Sequence, residues 1–360
     1  MNIKKAILAS LIVSSMLVTV VGPVPVEAAA AQEQKQPEKM KVQIDKKMAD
    51  KLKKAMKELA EKEIKLQDAG ETYKGLVGSA TVRSVDGKYS ISFNPKTGVI
   101  GNGFSKISID EVSKEDRNKV LKRLKELYPN KTYVLSNEVE MSRRYDDKQG
   151  KFVDTNYFFT EEDFYISLYK PGAGSDAKDQ LNGFSIKVDA KELDPKWTKA
   201  AAELVKTAFN HELKEVTEAT LRHGNFDYEK VLAIPMWILQ GDGVYVEIDT
   251  KSGKAIEVIH KSRLKEKVTT DKEITAKVAK EVIAPLAQKV LGVDISGCEV
   301  EWDNRLKEYR FHNDYTDKKD GKVVTTKLRA ALDADKNVVY LVGGTNAIHG
   351  SMETMETMEK

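Results

Sequence analysis

Val244–Tyr245–Val246–Glu247–Ile248–Asp249–Thr250–Lys251–Ser252–Gly253–Lys254 reads as an alternating strand that stops at Asp249, turns, and restarts after Gly253. Asp and Asn side chains bond the backbone of a turn, and Gly tolerates the positive φ that closes it. The same arrangement stands at 89–99, with Asn94 and Gly98, and at 328–338, with Asp333 and Asn337. A strand, a type I turn and a left-handed closing residue make a β-hairpin. Asn94, Gly98, Asp249, Gly253, Asp333 and Asn337 are therefore the expected turn-forming residues. Recurrence at long period predicts an array of similar units, with function in what the array presents.

Working outward, an amphipathic helix precedes each group of strands. The helices open at Asp45, Ser113, Asp194 and Thr270, residue types that cap an N-terminus. Pro195 suits a first helical position, and Thr270 with Glu273 has capping-box spacing. Apolar stripes of period 3.6 follow: Ile44, Met48, Leu52, Met56 and Leu59; Val120, Leu121, Leu124 and Leu127; Trp197, Ala201, Leu204, Val205 and Ala208; Ile274, Val278, Val282, Leu286 and Val290. The four starts recur at roughly 70–80 residues. Strand-like segments come after each helix, at 78–82, 89–93 and 99–104; at 131–136, 152–159, 164–169 and 184–188; at 215–221, 231–239, 244–248 and 255–259; and at 298–302, 309–312, 323–332 and 338–342. The expected fold class is α+β: tandem units, each one helix packed on a three- to four-stranded antiparallel sheet. The boundaries fall at 42–106 for unit 1, 110–190 for a degenerate unit 2, 193–262 for unit 3 and 270–345 for unit 4.

The ends of the chain carry an address. Lys4 and Lys5 precede an apolar stretch over 6–22, broken by Pro23 and Pro25 before the small residues around Ala28. This pattern predicts a signal peptide over 1–28, then a linker over 29–41, in a secreted or cell-wall-associated protein. Residues 346–360 are expected to form a disordered tail, low in complexity from Gly350 on. Cys298 is the single cysteine, which excludes an internal disulfide framework; its apolar neighbours predict a buried small hydrophobe. The formal net charge is +3, with both signs interleaved, which argues against a nucleic-acid binder. Lys46, Lys47, Lys51, Lys53 and Lys54 fit a solvated helix face, or contact with an anionic wall polymer.

The order of helix, strands and closing hairpin resembles the PepSY-like repeats of secreted bacterial proteins. The best matches are the hairpin segments 246–256 and 332–339, and the resemblance covers 42 to about 345. Unit 2 departs from it, because Leu193 stands where the Gly that follows Asp189 should. PepSY modules accompany secreted metallopeptidases. The resemblance therefore implies a non-enzymatic protein-binding module whose partner is a protein, with a secreted metallopeptidase that it inhibits or chaperones as the first candidate. The alternative is a structural envelope protein that holds cell-wall or matrix polymers.

No pattern for chemistry of comparable strength occurs. His211–Glu212–Leu213–Lys214–Glu215 lacks the second imidazole of a zinc-peptidase helix, and with His223 it reads as a helix end turning into a strand. Gly172, Gly174 and Ser175 do not make a nucleophile elbow. Asp333, Asp335 and Asn337 open like a calcium loop, but Val338 stands where that loop needs Gly. Expected catalytic residues, cofactors and metals are none. The candidates for partner binding are aromatic. Tyr157, Phe158 and Phe159 are consecutive, so they point to both faces of a strand, with Phe164 and Tyr165 close behind. Trp237 follows Pro235, which is expected to confine its strand to an edge or a bulge.

Overall fold

The computed structural model describes residues 39–67, 70–73, 78–172, 174–223, 235–317, 321–344 and 347. The expected signal segment, and the tail apart from Ala347, lie outside them.

Local chemistry starts the helices. After β1 (Lys39–Val42), the Asp45 carboxylate accepts the Met48 N–H at 2.7 Å and opens α1 (Lys46–Ala60). Next come β2 (Gly70–Tyr73), β3 (Ala80–Arg83), β4 (Tyr89–Phe93) and β5 (Ile100–Ser108). Leu52, Ala55, Met56 and Leu59 of α1 are buried in one core with Ile91 and Phe93 of β4 and Ile100 of β5. Gly103 permits the close approach: a side chain there would meet Leu59 at 2.8 Å. Ser113 accepts the Asp116 N–H at 3.1 Å and opens α2 (Lys114–Leu127), followed by β6 (Glu138–Asp146), β7 (Lys151–Thr160), β8 (Phe164–Lys170) and β9 (Gln180–Val188). Asp194 caps α3 (Pro195–Phe209), which ends at Asn210 in a left-handed conformation. Then β10 (Glu218–His223), β11 (Pro235–Gly241), β12 (Val244–Asp249) and β13 (Ala255–His260) lead to α4 (Ala276–Leu286). The last strands are β14 (Glu299–Asp303), β15 (Glu308–Asp317), β16 (Gly321–Leu332) and β17 (Val338–Gly343).

Three local expectations are corrected. The cap of α4 is Thr275, whose hydroxyl accepts the Val278 N–H, and not Thr270. Glu273 instead turns back on Thr269, taking its N–H at 3.1 Å, and this closes a separate turn ahead of the helix. Residues 131–136 form no strand; the strand comes later, as β6, where Val139 and Tyr145 are buried. The last residues of the expected linker belong to β1, which pairs with β2.

The larger correction concerns the fold class. Separate α+β units are not what forms. From β1 to β13 each strand pairs with the next, then β13 pairs with β17, and β16, β15 and β14 follow outward, every pair antiparallel. The seventeen strands therefore make one sheet. The joints are β5–β6, from Asn102↔Arg144 to Ser108↔Glu138; β9–β10, from Val188↔Ala219 to Ser185↔Arg222; and β13–β17, from Glu257↔Val342 to Ile259↔Tyr340. A small separate sheet would leave two rows of unpaired N–H and C=O groups, and joining edges satisfies them. The core merges too. One apolar cluster runs from Val120 of α2, through Leu204 of α3 and Ile283 of α4, to Leu341; the α1 end keeps its own, and a third, around Tyr245, Ile259, Leu264 and Tyr340, lies on the other side of β12, β13 and β17. All four α-helices share one side of the sheet through the first two clusters; the opposite side, the helix-free face, carries no α-helix among the described residues, and at its β12–β17 end the short 3-10 turn Lys261–Glu266 lays Leu264 on it.

Candidate functional site

The turns are a repeated local device. The Asn94 side chain accepts the N–H groups of Lys96 and Thr97 at 2.9 and 3.1 Å, and Gly98 closes the loop at φ 70°. Asp249 does the same for Lys251 and Ser252 at 2.6 and 3.1 Å, with Gly253 at φ 68°. At Asp333 the turn is one residue shorter: Lys336, not Asn337, is left-handed at φ 65°, and Asn337 donates its N–H and side-chain amide to the Asp333 carboxylate. That carboxylate is engaged in closing its own turn. The device also closes β6–β7, where Asp146 takes Lys148 and Gln149, and β14–β15, where Asp303 takes Arg305 and Leu306. It is a general hairpin connector here, used well beyond the ends of units.

The aromatic candidates separate by face. Tyr157 and Phe159 point to the helix side, where Phe159 is fully buried and Tyr157 lies beside the Asp116–Lys170 ion pair of 2.6 Å. Burial raises the Tyr157 phenol pKa. Phe158 points the other way and stacks on Tyr165, with ring centroids 6.5 Å apart and planes 18° from parallel. Register places more aromatic rings on this face. Phe104, Ser142, Asn156 and Tyr169 form one row across β5 to β8, and Glu140, Phe158, Ser167 and Gly183 form the next. Phe104, Phe158, Tyr165 and Tyr169 are half-buried. Between them Gly183 and Ser167 add little bulk, and the Gly183 N–H bonds the Ser167 hydroxyl at 3.1 Å. The result is a dimpled aromatic patch with polar small residues in its floor.

Trp237 does not join it. It is 4% exposed, edge-on to Tyr128 at 6.2 Å and tilted against Trp197 at 6.3 Å. Nor is its strand an edge, because β11 pairs with both β10 and β12. Pro235 is tolerated as the first residue of the strand, where its missing N–H breaks no interior ladder bond.

Towards β17 the same face becomes buried, apolar where Leu264 packs on Tyr245, Ile259, Tyr340 and Val342, and ionic beside them. Arg222 donates to Glu247 at 2.5 Å, and the Tyr245 hydroxyl donates to the same carboxylate. Across the β13–β17 joint, Arg329 grips Glu308 with two bonds of 2.7 and 2.9 Å, and the Tyr340 hydroxyl donates to Glu308 at 2.6 Å. Glu308 is 0% exposed, Glu247 1%. Glu257, opposite Glu247 in register and beside Val342 of β17, is buried between the two clusters. Burial, then the neighbouring carboxylate, holds both the Tyr245 and the Tyr340 phenols well above the ordinary tyrosine pKa. These groups are locked acceptors and donors, suited to fixing strand register. The aromatic patch runs directly into them through the row Tyr165, Ser185, Arg222.

The histidines are not gathered. His211 faces His260 at 5.0 Å, whereas His223 sits against Phe184 at 5.6 Å, at the other end of β10. Burial, then Arg123, lowers His223 to about 4. Cys298 is buried, and burial raises its thiol. Among the described residues, no three His, Cys, Asp or Glu side chains come together as a metal-binding group, and no helix is long and apolar enough to cross a membrane. A depression of about 510 Å³ lies at the β7–β8 turn, rimmed by Glu161, Glu162, Asp163, Phe164, Val134 and Lys187.

Compared with protein-family models, with curated proteins and with solved structures, the chain matches none.

Proposed function

We propose that this is an exported, non-catalytic protein that binds a protein partner on the helix-free face of its sheet, at the aromatic patch of Phe104, Phe158, Tyr165 and Tyr169. The observation that carries the reading is the stacked Phe158–Tyr165 pair, half-buried on a face that no helix covers. Aromatic side chains with an apolar body and one wet edge are the usual anchors of protein interfaces. Glu162, exposed at the end of the same strands, suits a basic group of the partner, while Glu161 and Asp163 beside it are held by Ser136 and Lys131. A secreted metallopeptidase is the partner class that the PepSY resemblance adds. Because the tandem units of that resemblance do not form, the reading rests on the patch.

The test is a titration of the protein against the secreted metallopeptidases of its host, with Phe158→Ala and Tyr165→Ala alongside. Stoichiometric binding, with the chain remaining uncut and each variant weakened about tenfold or more, is the expected result. Loss of peptidase activity in the complex would make the role inhibitory. Unchanged affinity in both variants would remove the patch. Binding to purified cell wall that disappears as salt screens it, with no peptidase binding, would favour the envelope reading.

A further inference from the structure

The sheet ends in two strands that pair on one side only among the described residues: β1, bonded to β2, and β14, bonded to β15. Their sequences are opposite in charge. β1 reads Lys39–Met40–Lys41–Val42, and β14 reads Glu299–Val300–Glu301–Trp302–Asp303. Long charged side chains at a sheet edge commonly keep edges apart, by repelling a like edge. Here each edge repels its own kind and suits the other.

The faces agree as well as the charges. Lys41 lies in register with Glu71, Thr81 and Ser92, alternate to the Ile91 and Phe93 that α1 covers, so it belongs to the helix-free face. Val42 packs into the α1 core. Glu301 lies in register with Arg310 and Arg329, again on the helix-free face, while Val300 and Trp302 pack against the helix-side core. Met40 is 49% exposed, and the Glu301 side chain 69%. We propose that β14 of one copy receives β1 of the next, so that the sheet continues from copy to copy with Lys against Glu on one face and Met and Val against Val and Trp on the other. Seventeen strands of alternating direction leave β1 and β14 running the same way. With faces matched, the new pair is therefore parallel. The two symmetric alternatives, β1 on β1 and β14 on β14, set like charges side by side. A head-to-tail contact of this kind does not close on itself and grows into a chain of copies. The parallel pair is short, and its charges are exposed, so the association is weak and salt-sensitive.

Sedimentation velocity of the purified protein tests this. Mass is expected to grow with concentration at about 0.01 M salt, where charges reach ~30 Å, and to fall to monomer at about 1 M, where they reach ~3 Å. Glu299→Lys with Glu301→Lys should abolish growth, and so should Lys39→Glu with Lys41→Glu, with the circular dichroism of each variant unchanged. The decisive arm mixes the two variants. One then has two basic edges and the other two acidic ones, so the mixture regains growth that neither shows alone. A monomer at every salt concentration, or growth that ignores both charge swaps, overturns the proposal.

Discussion

The α1 end of the sheet and its β10–β17 end are made of the same materials and differ in how many faces they bury. In β4, Ile91 and Phe93 are buried and their neighbours half-buried, so the strand has a wet side. In β17 all six residues are buried, and β12 is buried through Val244–Ile248. The first region is held by one apolar stripe, Leu52 to Leu59, laid on one face. The second has an apolar face under α3 and α4, and on its other side a smaller apolar cluster around Leu264 set beside the ionic groups of Glu247, Glu257 and Glu308. A buried charge cannot be left unpaired, so ionic groups make the second region intolerant of single losses where an apolar face would yield gradually.

The sharpest way to break the comparison is Glu308→Ala. It strands the buried Arg329 guanidinium and Tyr340 hydroxyl without their partner, and should destabilise the β10–β17 end by about 3–5 kcal/mol. Amide exchange should accelerate there while α1 and β4 keep their protection. Leu59→Ala is the counterpart at the other end. Loss of its buried side chain should destabilise by about 3 kcal/mol, with the faster exchange confined to α1 and β3–β5. Acid separates the regions without mutation. Residues 39–108 contain no histidine. His260 is buried, and burial, then Arg263 and His211, lowers it from its ordinary value to about 4. The unfolded chain therefore binds the extra proton first, and stability falls as pH drops from 6.5 to 4, by up to about 3 kcal/mol for this group. Denaturant midpoints followed by exchange should move with pH in this window at the β10–β17 end, and His260→Gln should lessen that slope, His223 at the end of β10, lowered likewise to about 4, supplying the rest.

Legibility in the sequence divides along the same line. Asp45, Ser113, Asp194 and the Asn94 and Asp249 turns act within a few residues, so their chemistry is visible locally. The joints β5–β6, β9–β10 and β13–β17 depend on which edges meet after folding, and no short window contains them. The opposed orientations of Tyr157 and Phe158 follow from strand alternation. The Phe158–Tyr165 stack needs β7–β8 register, and Phe104 and Tyr169 need the whole sheet. The ionic face leaves a local trace: Glu247 stands between Val246 and Ile248, and Arg329 between Leu328 and Ala330, each a charge set directly among apolar neighbours. Trp237 beside Pro235 misled, because a proline that begins a strand leaves the rest of it free to pair on both sides.

The last strand is an interior one. β17 enters between β13 and β16, so β14, β15 and β16 hang from the rest of the sheet through six residues, Val338–Gly343. A chain made from its N-terminus presents β17 after every other strand described. Until it arrives, β13 is an open border and the Glu308–Arg329 lock has no Tyr340. Completion of this fold thus waits for its last strand, and a copy cut short before Val338 would be left with its seam unsewn.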